Sequence, residues 1–121
     1  MKKTLMLGLV AVLSLGALTA CGGSSGGSTP VTIEMGKDGE MAFNPPQFTA
    51  KKGEKVTVKL VNKDSQAHSF VIADFNVKSG NVAANQTKEV TFTASKTGEI
   101  EFHCDVAGHK DGGMEGVLKV N

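Results

Sequence analysis

The stretch "EIEFHCDVAGHKDGGMEGVLKV", residues 99–120, decides how the chain is read. Its two ends alternate with a period of two. Ile100, Phe102 and Cys104 fall on one face of an extended segment, and Glu99, Glu101 and His103 fall on the other. "GVLKV" (116–120) repeats the pattern. Such alternation marks half-buried β-strands. The acidic neighbours make the second face the wet one, so Cys104 is expected to point inward and His103 outward. Between the strands runs a loop, Asp105 to Gly113, that carries His109 and ends at Met114.

The same period appears upstream. "EKVTVKLVN" (54–62) puts Val56, Val58 and Leu60 on one face, with Thr57 and Lys59 on the other. "KEVTFTAS" (88–95) puts Val90, Phe92 and Ala94 inward. "VTIEM" (31–35) alternates as well, and "HSFVIADF" (68–75) is rich in β-branched and aromatic residues. Turn signals separate these runs, among them "NPP" (44–46), "NKDS" (62–65) and "SKTG" (95–98). No helical stripe follows residue 30. Short strands with regular turns predict an all-β Greek-key sandwich or barrel over residues 30–121. A domain of roughly 90 residues can fold without disulfides, with a modest core.

The first thirty residues are of another kind. Residues 1–20 open with "MKK", run through "LMLGLVAVLSLGAL" and end in small residues before Cys21. A charged start, an apolar middle and a processing site describe a secretory signal peptide. The apolar run is short for a bilayer span, which takes about 20 residues. "LTAC" (18–21) resembles the lipobox of bacterial lipoproteins, which implies cleavage before Cys21 and a lipid on its sulfur. "GGSSGGST" (22–29) is then a flexible tether, with a reach of roughly 15 Å. The expected location is extracytoplasmic, with the chain held to a bacterial membrane by its lipid.

This reading leaves Cys104 without a disulfide partner, since the chain has two Cys in all. A lone thiol in an oxidising compartment is either buried and inert or held by a metal. Losing Lys2 and Lys3 lowers the basic count from 13 to 11 against 12 acidic residues, so the mature formal charge is −1. There is no Arg and no basic run, which removes the electrostatic basis for binding nucleic acid.

Cys104, His109 and Met114 are spaced Cys-x4-His-x4-Met, close enough for one loop to fold them onto one point. A thioether is a poor fourth ligand for structural zinc. Thiolate, imidazole and thioether together suit copper, and two His, one Cys and a weak axial Met form the blue-copper electron-transfer site. A second His must come from elsewhere. The chain has three His, and His68, just after the turn at 62–65, could reach the same end of a sandwich.

From "FNPPQFTAKKGEKVTVKLVNKDSQAHSFVI" to "GEIEFHCDVAGHKDGGMEGVLKV" the chain resembles the cupredoxin family, which includes plastocyanins, azurins, halocyanins and auracyanins. The Cys-x4-His-x4-Met spacing is most similar to the auracyanin-like members. The resemblance implies one mononuclear type 1 copper, with His68, Cys104 and His109 as equatorial ligands and Met114 as the axial one. It also implies a carrier of single electrons, not an enzyme, whose redox partner proteins dock transiently near His109. A monomer is expected. Three positions depart from the family. Ser69 stands where an Asn often braces the loop, His103 where an aromatic residue often receives electrons, and Ile100 where a Tyr is common. With no Trp or Tyr in the chain, a tyrosine-mediated path is excluded.

Other classes make different demands. A copper chaperone or storage lipoprotein favours exposed Met- and His-rich sites, and would pass on the ion instead of cycling it. A binuclear copper site needs two Cys in the loop, where only Cys104 stands. A second, catalytic copper needs several more His. A metal-free binding module would not require four matching ligands. Met35 and Met41 are expected to be core or surface residues, and Gly108, Gly112 and Gly113 to let the loop turn.

Overall fold

The computed structural model describes residues 29–121. The expected leader, lipidated Cys21 and tether up to residue 28 lie outside the described residues, and Thr29, expected as the last residue of the tether, begins β1. The described chain forms nine strands: β1 (Thr29–Met35), β2 (Phe43–Asn44), β3 (Gln47–Ala50), β4 (Lys55–Asn62), β5 (Val71–Ile72), β6 (Val77–Lys78), β7 (Thr87–Thr93), β8 (Gly98–His103) and β9 (Glu115–Val120). They build two sheets, ordered β2-β1-β4-β7 and β3-β9-β8-β5-β6. The pairs β1–β4 and β3–β9 are parallel. Parallel neighbours cannot be joined by a hairpin, so the chain crosses repeatedly between sheets. The expected all-β sandwich is the observed fold.

Alternation sets the core. In β4, Val56, Val58 and Leu60 are buried while Lys55 and Lys59 are exposed. The same register carries on to Asn62, which is 1% exposed, so strand period places a polar side chain inside. In β8, Ile100 and Phe102 are buried, and Cys104 follows them inward. Val90 on the edge strand β7 is half-buried, whereas Phe92 and Ala94 are buried as expected.

Four Phe rings fill the middle. Phe102 packs on Phe43, Phe48 and Phe70 at centroid distances of 5.1, 5.6 and 5.1 Å. Phe102 pairs with Gly116 of β9, and a Cβ added at Gly116 would lie 2.3 Å from the Phe102 ring. The ring therefore lies across bare backbone. Phe70 and Phe102 each stand two residues from a metal-ligand candidate, so the aromatic core fixes both chain segments that bear the site.

Two local expectations are corrected. Residues 68–75 do not form one strand. His68 makes an isolated bridge with Val82, β5 is limited to Val71–Ile72, and Ala73–Phe75 is a single 3-10 turn. The ladder breaks because the Ser79 hydroxyl accepts the Phe70 N–H (2.8 Å), and because Asn76 takes a left-handed turn (φ 54°) into β6. The prolines at 45 and 46 do lie in a connection, but strands flank it. β2 ends in one sheet and β3 begins in the other, and neither was expected from the sequence.

Candidate metal centre

Three donors converge at one end of the sandwich. His68 Nδ1 lies 3.1 Å from His109 Nδ1, and Cys104 Sγ lies 3.5 Å from His109 Nδ1. All three donor atoms lie within 4.8 Å of one another. His68 and Cys104 are 0% exposed, and His109 is 6% exposed. The expected pairing of an upstream His with the Cys and His of the last loop is therefore present.

The downstream donors are set by a self-closing loop. The Cys104 N–H donates to the Met114 carbonyl (3.1 Å), and the Met114 N–H donates to the His109 carbonyl (3.0 Å). The Gly112 N–H donates to the carbonyls of Gly108 and His109, both at 3.1 Å. Gly108 and Gly113 take positive φ, 81° and 102°, which glycine adopts without strain. Met114 is 0% exposed, and its backbone is bonded to both other loop candidates.

The upstream donor is set by its backbone bridge to Val82 and by side chains. The buried Asn62 amide donates to the carbonyls of Gln66 (2.8 Å), Val82 (2.9 Å) and Ala83 (3.2 Å). Its carbonyl oxygen accepts the Asp64 N–H (2.9 Å). Asp64 in turn places Oδ2 at 2.8 Å from His68 Nε2. Neither Asn62 nor Asp64 was expected to matter, because "NKDS" carries only a turn signal. The spacing of an acid four residues before a His was the one hint available.

Ser69 departs from the family pattern without losing contact. Its N–H lies 3.4 Å and its hydroxyl 3.5 Å from Cys104 Sγ. The hydroxyl also bonds the Asp105 carboxylate and accepts the Asp105 N–H (2.9 Å). A hydroxyl has one proton, and the Asp105 carboxylate is the stronger acceptor. The Ser69 N–H is then the donor that faces the sulfur. His103 stays outside the cluster, with its Nδ1 3.2 Å from Glu101 Oε1 on the wet face. Met35 is core, and Met41 is half-buried against it.

The electrostatics at His109 favour a neutral imidazole. Burial first, and then the nearby His68, hold the His109 pKa below the usual histidine value, with Asp64 opposing. The hydrogen bond to His68 holds the Asp64 carboxyl below the usual carboxylate range, helped by the Ser65 N–H. No buried side-chain nitrogen or oxygen among the described residues lacks a partner. The two facing Nδ1 atoms satisfy each other by sharing one proton, and the same lone pairs can instead meet at one cation. Two imidazoles and a thiol, closed off from water and backed by a carboxylate, fit a soft or borderline metal ion.

The chain matches the family described as the cupredoxin-like domain over residues 5–119. It belongs to the cupredoxin family. Among relatives, this cupredoxin is 36% identical to Auracyanin-A of Chloroflexus aurantiacus, an alignment covering 100% of both chains. It is 33% identical to Plastocyanin A/B of Petroselinum crispum, covering 74% of this chain and 98% of that one. In structure it is similar to Auracyanin A, a "blue" copper protein of Chloroflexus aurantiacus, with a TM-score of 0.70 and 27% identity over 78% of this chain and 100% of that one.

Proposed function

We propose that this cupredoxin carries single electrons on one type 1 copper ion. His68, Cys104, His109 and Met114 would hold the ion. The observation that carries the reading is the buried convergence of two Nδ1 atoms and one Sγ within 4.8 Å. When bound, the copper supplies reversible one-electron exchange between Cu(I) and Cu(II). The protein's share is rigidity and dryness. Phe70 and Phe102 anchor the two ligand-bearing segments in the core, so the donors need not rearrange as the charge changes. Burial keeps water from the ligands, and the Ser69 N–H faces the Cys104 sulfur. Four protein donors would occupy the ion without a substrate, and the remaining His103 lies on the other face of its strand. A carrier fits better than an enzyme. Complete burial of Cys104 and His68 also argues against ready handover of the ion, as a chaperone or store would require.

The His109 edge is the expected place for partners. It is the most exposed of the three donors, and Ala107, Gly108, Gly112 and Gly113 around it are small and exposed. Residues 1–20 act in this reading as a signal peptide, Cys21 carries the lipid, and 22–28 tether the domain on the extracytoplasmic side of a membrane. Among the described residues no helix is long and apolar enough to cross one.

The test is to add Cu(II) to the purified protein and record the visible spectrum. An intense charge-transfer band is expected, and Cys104→Ser should abolish it. A colourless protein that takes up only zinc would overturn the reading. For the anchor, mass spectrometry of the mature N-terminus should find lipid on Cys21. A chain that keeps residues 1–20 would sink that part alone.

A further inference from the structure

The contact between Asp64 and His68 is more constrained than a surface ion pair. The Asp64 side chain is 11% exposed and the His68 ring 0%, at an N···O distance of 2.8 Å. The other carboxylate oxygen and the backbone N–H of Asp64 are also occupied. Its Oδ1 accepts the Ser65 N–H (2.7 Å), and its N–H is held by Asn62 Oδ1 (2.9 Å). Gly36 closes the contact from above. It has φ 68°, and a Cβ there would lie 2.5 Å from Asp64 Cβ and 2.7 Å from His68 Nε2. Only a glycine backbone fits so close to the pair.

The chemistry of the contact has two consequences. An ionised carboxylate can only accept hydrogen bonds, so the proton of His68 sits on Nε2. Its Nδ1 then carries a lone pair aimed at His109 and Cys104, and the proton shared between the two Nδ1 atoms belongs to His109. A negative charge one imidazole away from a bound cation also interacts more strongly with a dication than with a monocation. We propose that Asp64 is a positioning and potential-setting residue: it fixes the metal-binding tautomer of His68 and holds the copper centre towards Cu(II). The first half stands on this geometry alone, and the second rests on the copper reading above. A plain loop clamp is the competing role.

The two halves are tested separately. In the metal-free protein, imidazole 15N shifts should show His68 protonated on Nε2 and bare on Nδ1. Asp64→Ala should let the two tautomers mix. A wild-type His68 protonated on Nδ1 would overturn the proposal, and this readout needs neither copper nor a variant. In the copper-loaded protein, Asp64→Asn keeps the shape of the side chain and removes its charge. The ratio of Cu(II) to Cu(I) affinity should fall about tenfold, the lower end for a group that orients a metal ligand, a rise in potential of about 59 mV. An unchanged potential in Asp64→Asn, with only the melting temperature lowered, would reduce Asp64 to a clamp and overturn the second half. A wild-type protein with no charge-transfer band would instead defeat the copper reading, while the tautomer measurement would still decide whether Asp64 positions His68.

Discussion

The two walls of the metal centre are made in different ways. The downstream wall, residues 104–114, is a loop whose backbone bonds to itself, and its three donor candidates sit within eleven residues of sequence. The upstream wall, residues 62–69, offers one donor; beyond the backbone bridge of His68 to Val82 it is held by the side chains of Asn62, Asp64 and Ser69. A self-bonded loop is insensitive to most single side chains but intolerant of added bulk beneath it. A wall held by side chains is the reverse: one truncation removes several bonds together.

That contrast can be broken most sharply at Asn62. Asn62→Ala removes the donor to the Gln66 carbonyl and the acceptor of the Asp64 N–H at a side chain that is 1% exposed, while the carbonyls of Val82 and Ala83 keep the N–H groups of His68 and Gln86. Unmade buried hydrogen bonds cost about 1–3 kcal/mol each where water cannot replace them. A loss of about 3 kcal/mol is expected by denaturant titration, together with weaker copper retention. A loss well below 1 kcal/mol would show that the upstream wall stands without its amide.

Next comes Gly116, under the downstream wall. Gly116→Ala drives a methyl into the Phe102 ring and the Pro46 carbonyl, both 2.3 Å from the added Cβ. Overpacking of this kind costs about 1–3 kcal/mol, to be read as a lowered melting temperature. The spectrum of the copper-loaded protein should also shift, because Phe102 anchors the strand that leads to Cys104. An unperturbed spectrum at lowered stability would separate the core from the site.

The smallest effect is expected at Ser69. Its hydroxyl proton goes to Asp105, so Ser69→Ala keeps the N–H facing Cys104. The charge-transfer band should persist, with a change in the Cu(II) to Cu(I) affinity ratio of less than about tenfold, below the usual range for removing a group that orients a ligand. Faster loss of copper to a chelator is the expected sign that the Ser69–Asp105 link braces the two walls. A large potential shift would mean that the hydroxyl, not the amide, serves the sulfur.

The legibility of the site follows the same division. Cys104, His109 and Met114 could be read together because a short loop between two alternating strands leaves few ways to arrange them. His103 could be set aside because the strand period sends neighbours to opposite faces. His68 could be reached by elimination among three His and by its place after the turn at 62–65, and the family resemblance then made it a ligand. Asn62 and Asp64 escaped notice because a polar residue after a strand looks the same whether it turns the chain in water or is carried inside by the alternation that buries Val58 and Leu60. The strands β2 and β3 escaped for a related reason. They are two and four residues long, and pairing with distant partners, not local pattern, makes them strands.

The sequence by itself determined the sandwich, its core faces and the donor chemistry, because side-chain period and ligand type are local properties. Tertiary structure alone decided that His68 meets His109 and Cys104, that Gly36 presses on the Asp64–His68 pair, and that Phe102 lies across Gly116. Each of these joins segments from different strands or turns. Their distances follow from the packing of two sheets, a quantity that no single stretch of the chain contains.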